Sequence, residues 1–257
     1  MHTLRDYKKC LWAIPLALLV NIGYFAPGQD AVWEGELNDL FLRALCDIQT
    51  YEGRDHAILV LSFMSMAFLL IFSILCGMDI YKEMYSTGIY VMTRVKNKYK
   101  WIGSLIAALA GKAFVFSIAY AATTWIIMWW CTGVKPDKKS PLAFLLAVAF
   151  LFFTVFLITL IMNYLSIRFQ TRIGVFGGTA VLLFMVMYIL FYEYLPIAGL
   201  KWDLRFLDPL YMLNLYYDGG SKVAIVLCYY LVLFVSGIIY FIKKVESLDV
   251  KIINEDI

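Results

Sequence analysis

The sequence predicts an all-α polytopic membrane protein with six transmembrane helices. Three observations carry that reading. Six long apolar stretches are strung along only 257 residues, at about 10–26, 57–78, 101–131, 141–167, 173–195 and 223–242, each near or above the roughly 20 helical residues that cross a bilayer core. Hydrophobic residues make up 63% of the chain and charged residues 16%, against about 45–50% and about 25% in soluble domains. The runs also lack the polar/apolar alternation of an outer-membrane barrel, and inside lipid a helix satisfies every backbone polar group within its own segment. The whole of 1–257 therefore reads as a single transmembrane domain.

The first run follows Arg5, Lys8 and Lys9, as a secretory signal would. However, Ala26-Pro27-Gly28 is a poor cleavage site and Asn21 interrupts the apolar region, so the run is expected to be a retained span. The link that follows, Pro27–His56, carries Asp30, Glu34, Glu36, Asp39, Asp47, Glu52 and Asp55 against Arg43 and Arg54. Basic residues concentrate instead near the N-terminus, between spans two and three, at Arg168 and Arg172, and after span six. The bias of Lys and Arg toward the cytoplasmic side then puts both termini inside. Lys135, Lys138 and Lys139 oppose this orientation but are outnumbered. The net charge of +3 is thus a topology signature and not a nucleic-acid footprint.

The connections differ in length. Thr132–Ser140 and Arg168–Arg172 are short, so spans three to five should include tight antiparallel neighbours. The link between spans two and three, Asp79–Lys100, opens with Asp79 and Glu83 and closes on a basic cluster. Ile80, Met84, Ile89, Tyr90 and Val91 interleave with its charges. It reads as an amphipathic helix along the inner face, either a lipid-anchored surface helix or a docking helix for a cytoplasmic partner. The segment Pro196–Ser221, rich in aromatics and broken by Asp203, Asp208 and Pro209, reads as an interfacial or re-entrant outer element between spans five and six.

Several chemical motifs fail on inspection. Gly111-Lys112 resembles the end of a phosphate-binding loop, but Ile106 stands where glycine is needed and Ala113 replaces Ser/Thr. The only histidines, His2 and His56, lie outside the spans, which removes a paired-His zinc motif and a membrane-buried Ser–His dyad. There is no CxxC or Cys/His metal pattern, so no metal or other cofactor is expected on this chain, and no enzyme activity. Cys46 and Cys131 fall on the same outer side, which leaves a disulfide between them open, because sequence does not place their Cα atoms within bonding reach.

Polar groups within the spans are few. Lys112 lies about 16 Å into span three at 1.5 Å per residue. It reads as snorkelling to the inner face or pointing into the bundle sooner than as a proton relay. Asn163 reads as an interhelical hydrogen-bonding group. Lys112 and Asn163 are the candidate cavity polar groups. Gly174 and Gly178 form a GxxxG, with Gly177 and Thr179 adjacent, suited equally to packing within the bundle or to a subunit contact.

Together these pieces carry a resemblance. The segment DIYKEMYSTGIYVMTRVKNKYKWIGS looks like the cytoplasmic link of the membrane subunit of a bacterial ATP-binding-cassette exporter of the type-2 permease class. That family commonly places an acid, a glycine, a Thr/Ser-Arg pair and a basic-aromatic run before span three, here Glu83, Gly88, Thr93, Arg94, Lys100 and Trp101. HTLRDYKKCLW resembles its interfacial N-terminal helix, and LDPLYMLNLYY its outer loop before the last span. The resemblance implies a coupling helix docked on a separate cytoplasmic ATPase. Glu83 would make the charged contact, Tyr81, Met84 and Tyr85 would be apolar plugs, Gly88 would belong to the motif, and Arg94 would anchor its end. ATP and Mg would bind the partner, and a second permease subunit would complete a homodimer or heterodimer in the bacterial cytoplasmic membrane. Walls rich in Phe, Tyr, Trp and Met suit an amphipathic cargo, and similar small permeases export or confer immunity to antimicrobial peptides. Two other classes fit the residues, a self-contained secondary transporter using Lys112 and a non-transporting scaffold or sensor accessory.

Overall fold

A computed structural model describes residues 7–24, 37–46, 67–94, 98–169, 171–190 and 220–246. Within them the chain is almost wholly helical. A 3₁₀ turn, Lys8–Trp12, leads into α1 (Ala13–Tyr24). It is followed by α2 (Leu37–Cys46), α3 (Ala67–Cys76), α4 (Asp79–Arg94), α5 (Lys98–Thr132), α6 (Ser140–Phe169), α7 (Thr171–Leu190) and α8 (Gly220–Glu246). Three helices among the described residues are long and apolar enough to cross a membrane: Lys98–Thr132, Ser140–Phe169 and Val223–Val245. The chain is therefore a helical membrane protein. The expected outer element at 196–221 falls almost entirely outside the described residues, as does the first half of the second apolar run.

Helix α6 is the centre of the bundle. In its most apolar stretch 61% of residues are buried, against 17% in α8, which lies at the periphery. Helices α3, α5, α7 and α8 all pack on α6. Ring contacts set the directions. Phe114 of α5 meets Phe152 of α6 and Trp125 meets Phe144, so these two helices are antiparallel. Phe150, Phe156 and Tyr164 of α6 meet Tyr230, Phe234 and Phe241 of α8 in the same order, so those two run parallel. Phe68 and Phe72 of α3 lie on Tyr120 and Phe116, antiparallel to α5.

The α5–α6 hairpin is closed by local chemistry. Gly133 takes a φ of +66° and donates its N–H to the Trp129 carbonyl at 3.0 Å. This is the left-handed glycine cap that ends many helices, because a side chain is strained there. Ser140-Pro141 then opens α6, with proline at a position where its missing N–H costs nothing and the Ser140 hydroxyl accepting from the Asp137 N–H at 2.8 Å.

The packing of α7 on α6 is closer still. A Cβ on Gly174 would overlap the Ser166 side chain and backbone, and one on Gly178 would overlap the Met162 side chain. The GxxxG face is thus taken up by a neighbour in the same chain, and only small residues let the two backbones approach this far. The polar residues in between are neutralised locally. Thr154, Thr159 and Ser166 donate their hydroxyls to the carbonyls of Phe150, Val155 and Met162, each at 2.8 Å, so they add no unsatisfied group to an apolar surround.

Two further elements bear on the sequence reading. Helix α1 belongs to the bundle: Ala13 and Ala17 are buried, and Asn21 donates to the Thr124 hydroxyl of α5 at 3.3 Å. The acidic link at 27–56, read from sequence as a loop, contains α2. Its Phe41 is fully buried and sits edge-on to Trp125 at 4.8 Å and stacked on Phe144 at 6.3 Å. Leu37, Phe41 and Leu45 recur at helical spacing, the signal of an amphipathic helix lying against the bundle.

Substituting Gly174→Val is expected to destabilise the purified protein by about 1–3 kcal/mol through overpacking. It would be read as a fall in denaturation midpoint followed by tryptophan fluorescence in detergent. An unchanged midpoint would mean that α6 and α7 do not meet at this face.

Candidate functional site

Helix α4 begins one turn after α3 ends, at Gly77–Met78. The Gly77 N–H bonds the Ser73 carbonyl at 2.8 Å, and the Lys82 N–H bonds the Met78 carbonyl at 2.9 Å. Met78 is therefore the N-cap of α4, and it has no side-chain oxygen to accept from the free N–H groups of the first turn. Another helix supplies that acceptor. Asn163 of α6, fully buried, takes the Tyr81 N–H on its Oδ1 at 3.1 Å. Its Nδ2 donates to the Thr159 carbonyl at 2.8 Å, so both ends of the amide are used.

A second bond lies beside the first. Lys112 Nζ of α5 donates to Asp79 Oδ2 at 2.6 Å. Lys112 is buried, while the Asp79 side chain keeps 23% of its surface exposed. Asp79 stands at the first residue of α4, where a carboxylate is also favoured by the helix dipole. An ammonium in an apolar bundle is costly unless paired, and Asp79 is the pairing group that the sequence reading did not assign. A buried lysine implies a nearby acid, and Asp79 stands where span two meets the link that follows it. Nothing in one sequence, however, joins positions 33 residues apart.

The two polar groups that sequence singled out separately, Lys112 and Asn163, thus converge on one target. They form a clasp that ties the start of α4 to α5 and α6 together. The N-terminal segment closes over the same spot. A Cβ on Gly111 would stand 3.0 Å from the Tyr7 hydroxyl, and Cys10 and Cys76 are both buried. Gly111-Lys112, dismissed as a phosphate loop, has a structural purpose. The glycine admits Tyr7, and the lysine holds α4.

Beyond the clasp, α4 presents two faces. Ile80 and Met84 are buried in the bundle core. Met84, read from sequence as a plug for a partner, is buried in the bundle core of this chain. Lys82, Tyr85 and Ser86 are exposed, Tyr81 and Glu83 half-buried, and the Tyr81 and Tyr85 rings stack at 6.0 Å between centroids. Gly88 and Arg94 lie within α4, Arg94 at its last residue. Gly174 and Gly178 are remote in sequence and role, packed on α6 as described. Cys131 is a free, exposed thiol.

The clasp predicts a specific pattern of stabilities. Asp79→Asn leaves the Lys112 charge buried and is expected to cost about 3 kcal/mol. Lys112→Met combined with Asp79→Leu removes both charges and should recover most of that loss. Thermal unfolding of the purified single and double variants measures it. Additive losses would mean the two groups do not interact. Separately, Asn163→Leu orphans the Tyr81 N–H and should cost about 1–3 kcal/mol.

Comparison of the chain with protein-family models, with curated proteins and with solved structures finds no match.

Proposed function

We propose that this chain is the membrane subunit of an ATP-driven exporter of the type-2 permease class, with α4 as the helix that docks a separate cytoplasmic ATPase. The observation that carries this is the clasp. A surface helix whose only task was to lie on lipid would have no need of a partly buried ion pair and a borrowed N-cap. A helix that must pass a displacement to the bundle does need them. Held at its start by Lys112 of α5 and Asn163 of α6, α4 moves as one piece with two of the long membrane helices. Its Lys82, Tyr85 and Ser86 side remains exposed for contact.

Helix direction supports the rest of the reading. The N-terminal segment and α1 run parallel to α5 (Tyr7 with Gly111, Asn21 with Thr124), and the contacts of α3, α5, α6, α7 and α8 alternate. We read the chain as six spans with both termini on the cytoplasmic side of a bacterial membrane, a reading that the alternation and the basic-residue bias support. A second permease subunit would form the translocation path between two bundles. ATP and Mg would bind the partner, and closure of the ATPases would shift the bundles between inward-open and outward-open populations. The cargo class proposed is a peptide or amphipathic compound, such as an antimicrobial peptide. This suits aromatic walls and rests otherwise on the resemblance. The secondary-transporter alternative would ask Lys112 to load and release a proton, whereas its ammonium is engaged in holding α4.

Capture of the chain from its native membrane in mild detergent, with mass spectrometry of what comes with it, tests this reading. A stoichiometric ATP-binding-cassette ATPase is expected. The double substitution Glu83→Arg/Tyr85→Ala should reduce its capture roughly tenfold or more, equivalent to about 1.4 kcal/mol, with the protein's own melting temperature little changed. Absence of an ATPase from the wild-type sample would overturn the exporter reading.

A further inference from the structure

Helices α6, α7 and α8 do not close on one another completely. Between them lies a cavity of about 700 Å³, open along part of its wall, within the size range of sites that hold a small ligand. Its floor and sides include Leu157 and Ile161 of α6, Val181 and Phe184 of α7, and Leu233 and Gly237 of α8. The two small hydroxyls at its edge are turned away. Thr154 donates to the Phe150 carbonyl and Ser236 to the Leu233 carbonyl. Away from Tyr164 and Tyr240 the slot is therefore apolar in effect.

One end is different. Tyr164 and Tyr240 meet edge-on at 5.7 Å, and basic residues follow directly. Arg168 lies one turn beyond Tyr164 on α6, and Lys243 and Lys244 lie just past Phe241 on α8, all exposed. Because α6 and α8 run parallel, these cations gather at the same end of the slot. Lys244 Nζ stands 5.9 Å over the Tyr240 ring. From Thr154 to Tyr164 the slot runs ten residues along α6, about 15 Å at 1.5 Å per residue. That is half of a hydrocarbon core of about 30 Å, the depth of one leaflet.

We propose that this slot is a binding site for a single anionic phospholipid. One acyl chain lies between α6, α7 and α8, and the phosphate rests on Arg168, Lys243 and Lys244. An apolar groove one leaflet deep that ends in a cluster of cations between helices matches both halves of such a molecule. Neither an apolar partner helix nor a soluble anion would use both. The Tyr164 and Tyr240 rings sit at the level where the glycerol ester region would pass, the position that amphipathic aromatics favour. This inference concerns the isolated chain and does not rest on the exporter reading.

The test is native mass spectrometry of the full-length protein after incubation with vesicles of equimolar phosphatidylglycerol and phosphatidylcholine of identical acyl chains. The wild type should retain one lipid, with phosphatidylglycerol preferred at least fivefold. Arg168→Gln with Lys243→Gln, both on exposed side chains, should abolish the preference. Gly237→Leu should abolish retention of either lipid. A Cβ at 237 meets only ordinary contacts, Leu157 at 3.6 Å and Leu160 at 3.8 Å, so the longer side chain enters the slot and the helix stays in place. Excess inorganic phosphate should displace nothing. Equal retention of the two lipids by the wild type would overturn the proposal, as would an undiminished preference in Gly237→Leu, or loss of lipid to inorganic phosphate alone. So would a chain dimer that forms in the wild type and is lost in Gly237→Leu, because the slot would then be filled by a second copy.

Discussion

The arrangement turns on one constraint, that a charge or an unpaired backbone group has no place in an apolar bundle unless a partner comes to meet it. Lys112 and the open first turn of α4 are both of this kind, and each is satisfied by reaching across to another helix. The Lys112–Asp79 pair and the Asn163–Tyr81 bond together determine where the chain leaves α3, how α4 starts, and which two long helices it is bound to. Remove either and a polar group inside the bundle loses the partner that crosses from another helix to meet it. That asymmetry makes the cost of breaking such a contact larger than the net gain from making it.

Around this centre the bundle is held by fit more than by polarity. Helix α6 carries the largest share of buried surface, and its neighbours differ in how they approach it. The small-residue face of α7 comes close enough that Gly174 and Gly178 admit no side chain. The aromatic face of α8 stands further off, with rings such as Phe156 and Phe234 at 4.7 Å between centroids. A close contact on one flank and a ring-spaced contact on the other leave a slot between α7 and α8. The slot is thus a consequence of side-chain size along α6.

The buried polar inventory is uneven. Most hydroxyls are spent on the carbonyl one turn back, which costs little and specifies nothing. Among the described residues, the side-chain amide of Asn38 in α2, the Asn21 Oδ1 and the Ser117 hydroxyl lack partners. Asn21 does donate through its amide to Ala17 and Thr124. Among the described residues, specific polar contacts between helices stand at the start of α4 and along the α1–α5 seam.

What the sequence by itself determined was the class of molecule. Length and unbroken hydropathy suffice for helices that cross a membrane, because a lipid surround leaves the backbone no other economical form. The amphipathic character of Asp79–Arg94, the small-residue pattern at Gly174 and Gly178, and the in-span polar residues Lys112 and Asn163 were legible for the same reason, since each is a local pattern along one helix. Tertiary structure decided which way each pattern faces. Met84 turned inward and Tyr85 outward, although both are apolar residues of the same amphipathic stretch. Leu37, Phe41 and Leu45 became a helix packed on Trp125, although the acids around them read as a loop. Lys112 and Asn163, two unrelated polar residues in sequence, closed on one helix end, because pairing between helices depends on distances across the bundle that no local pattern encodes.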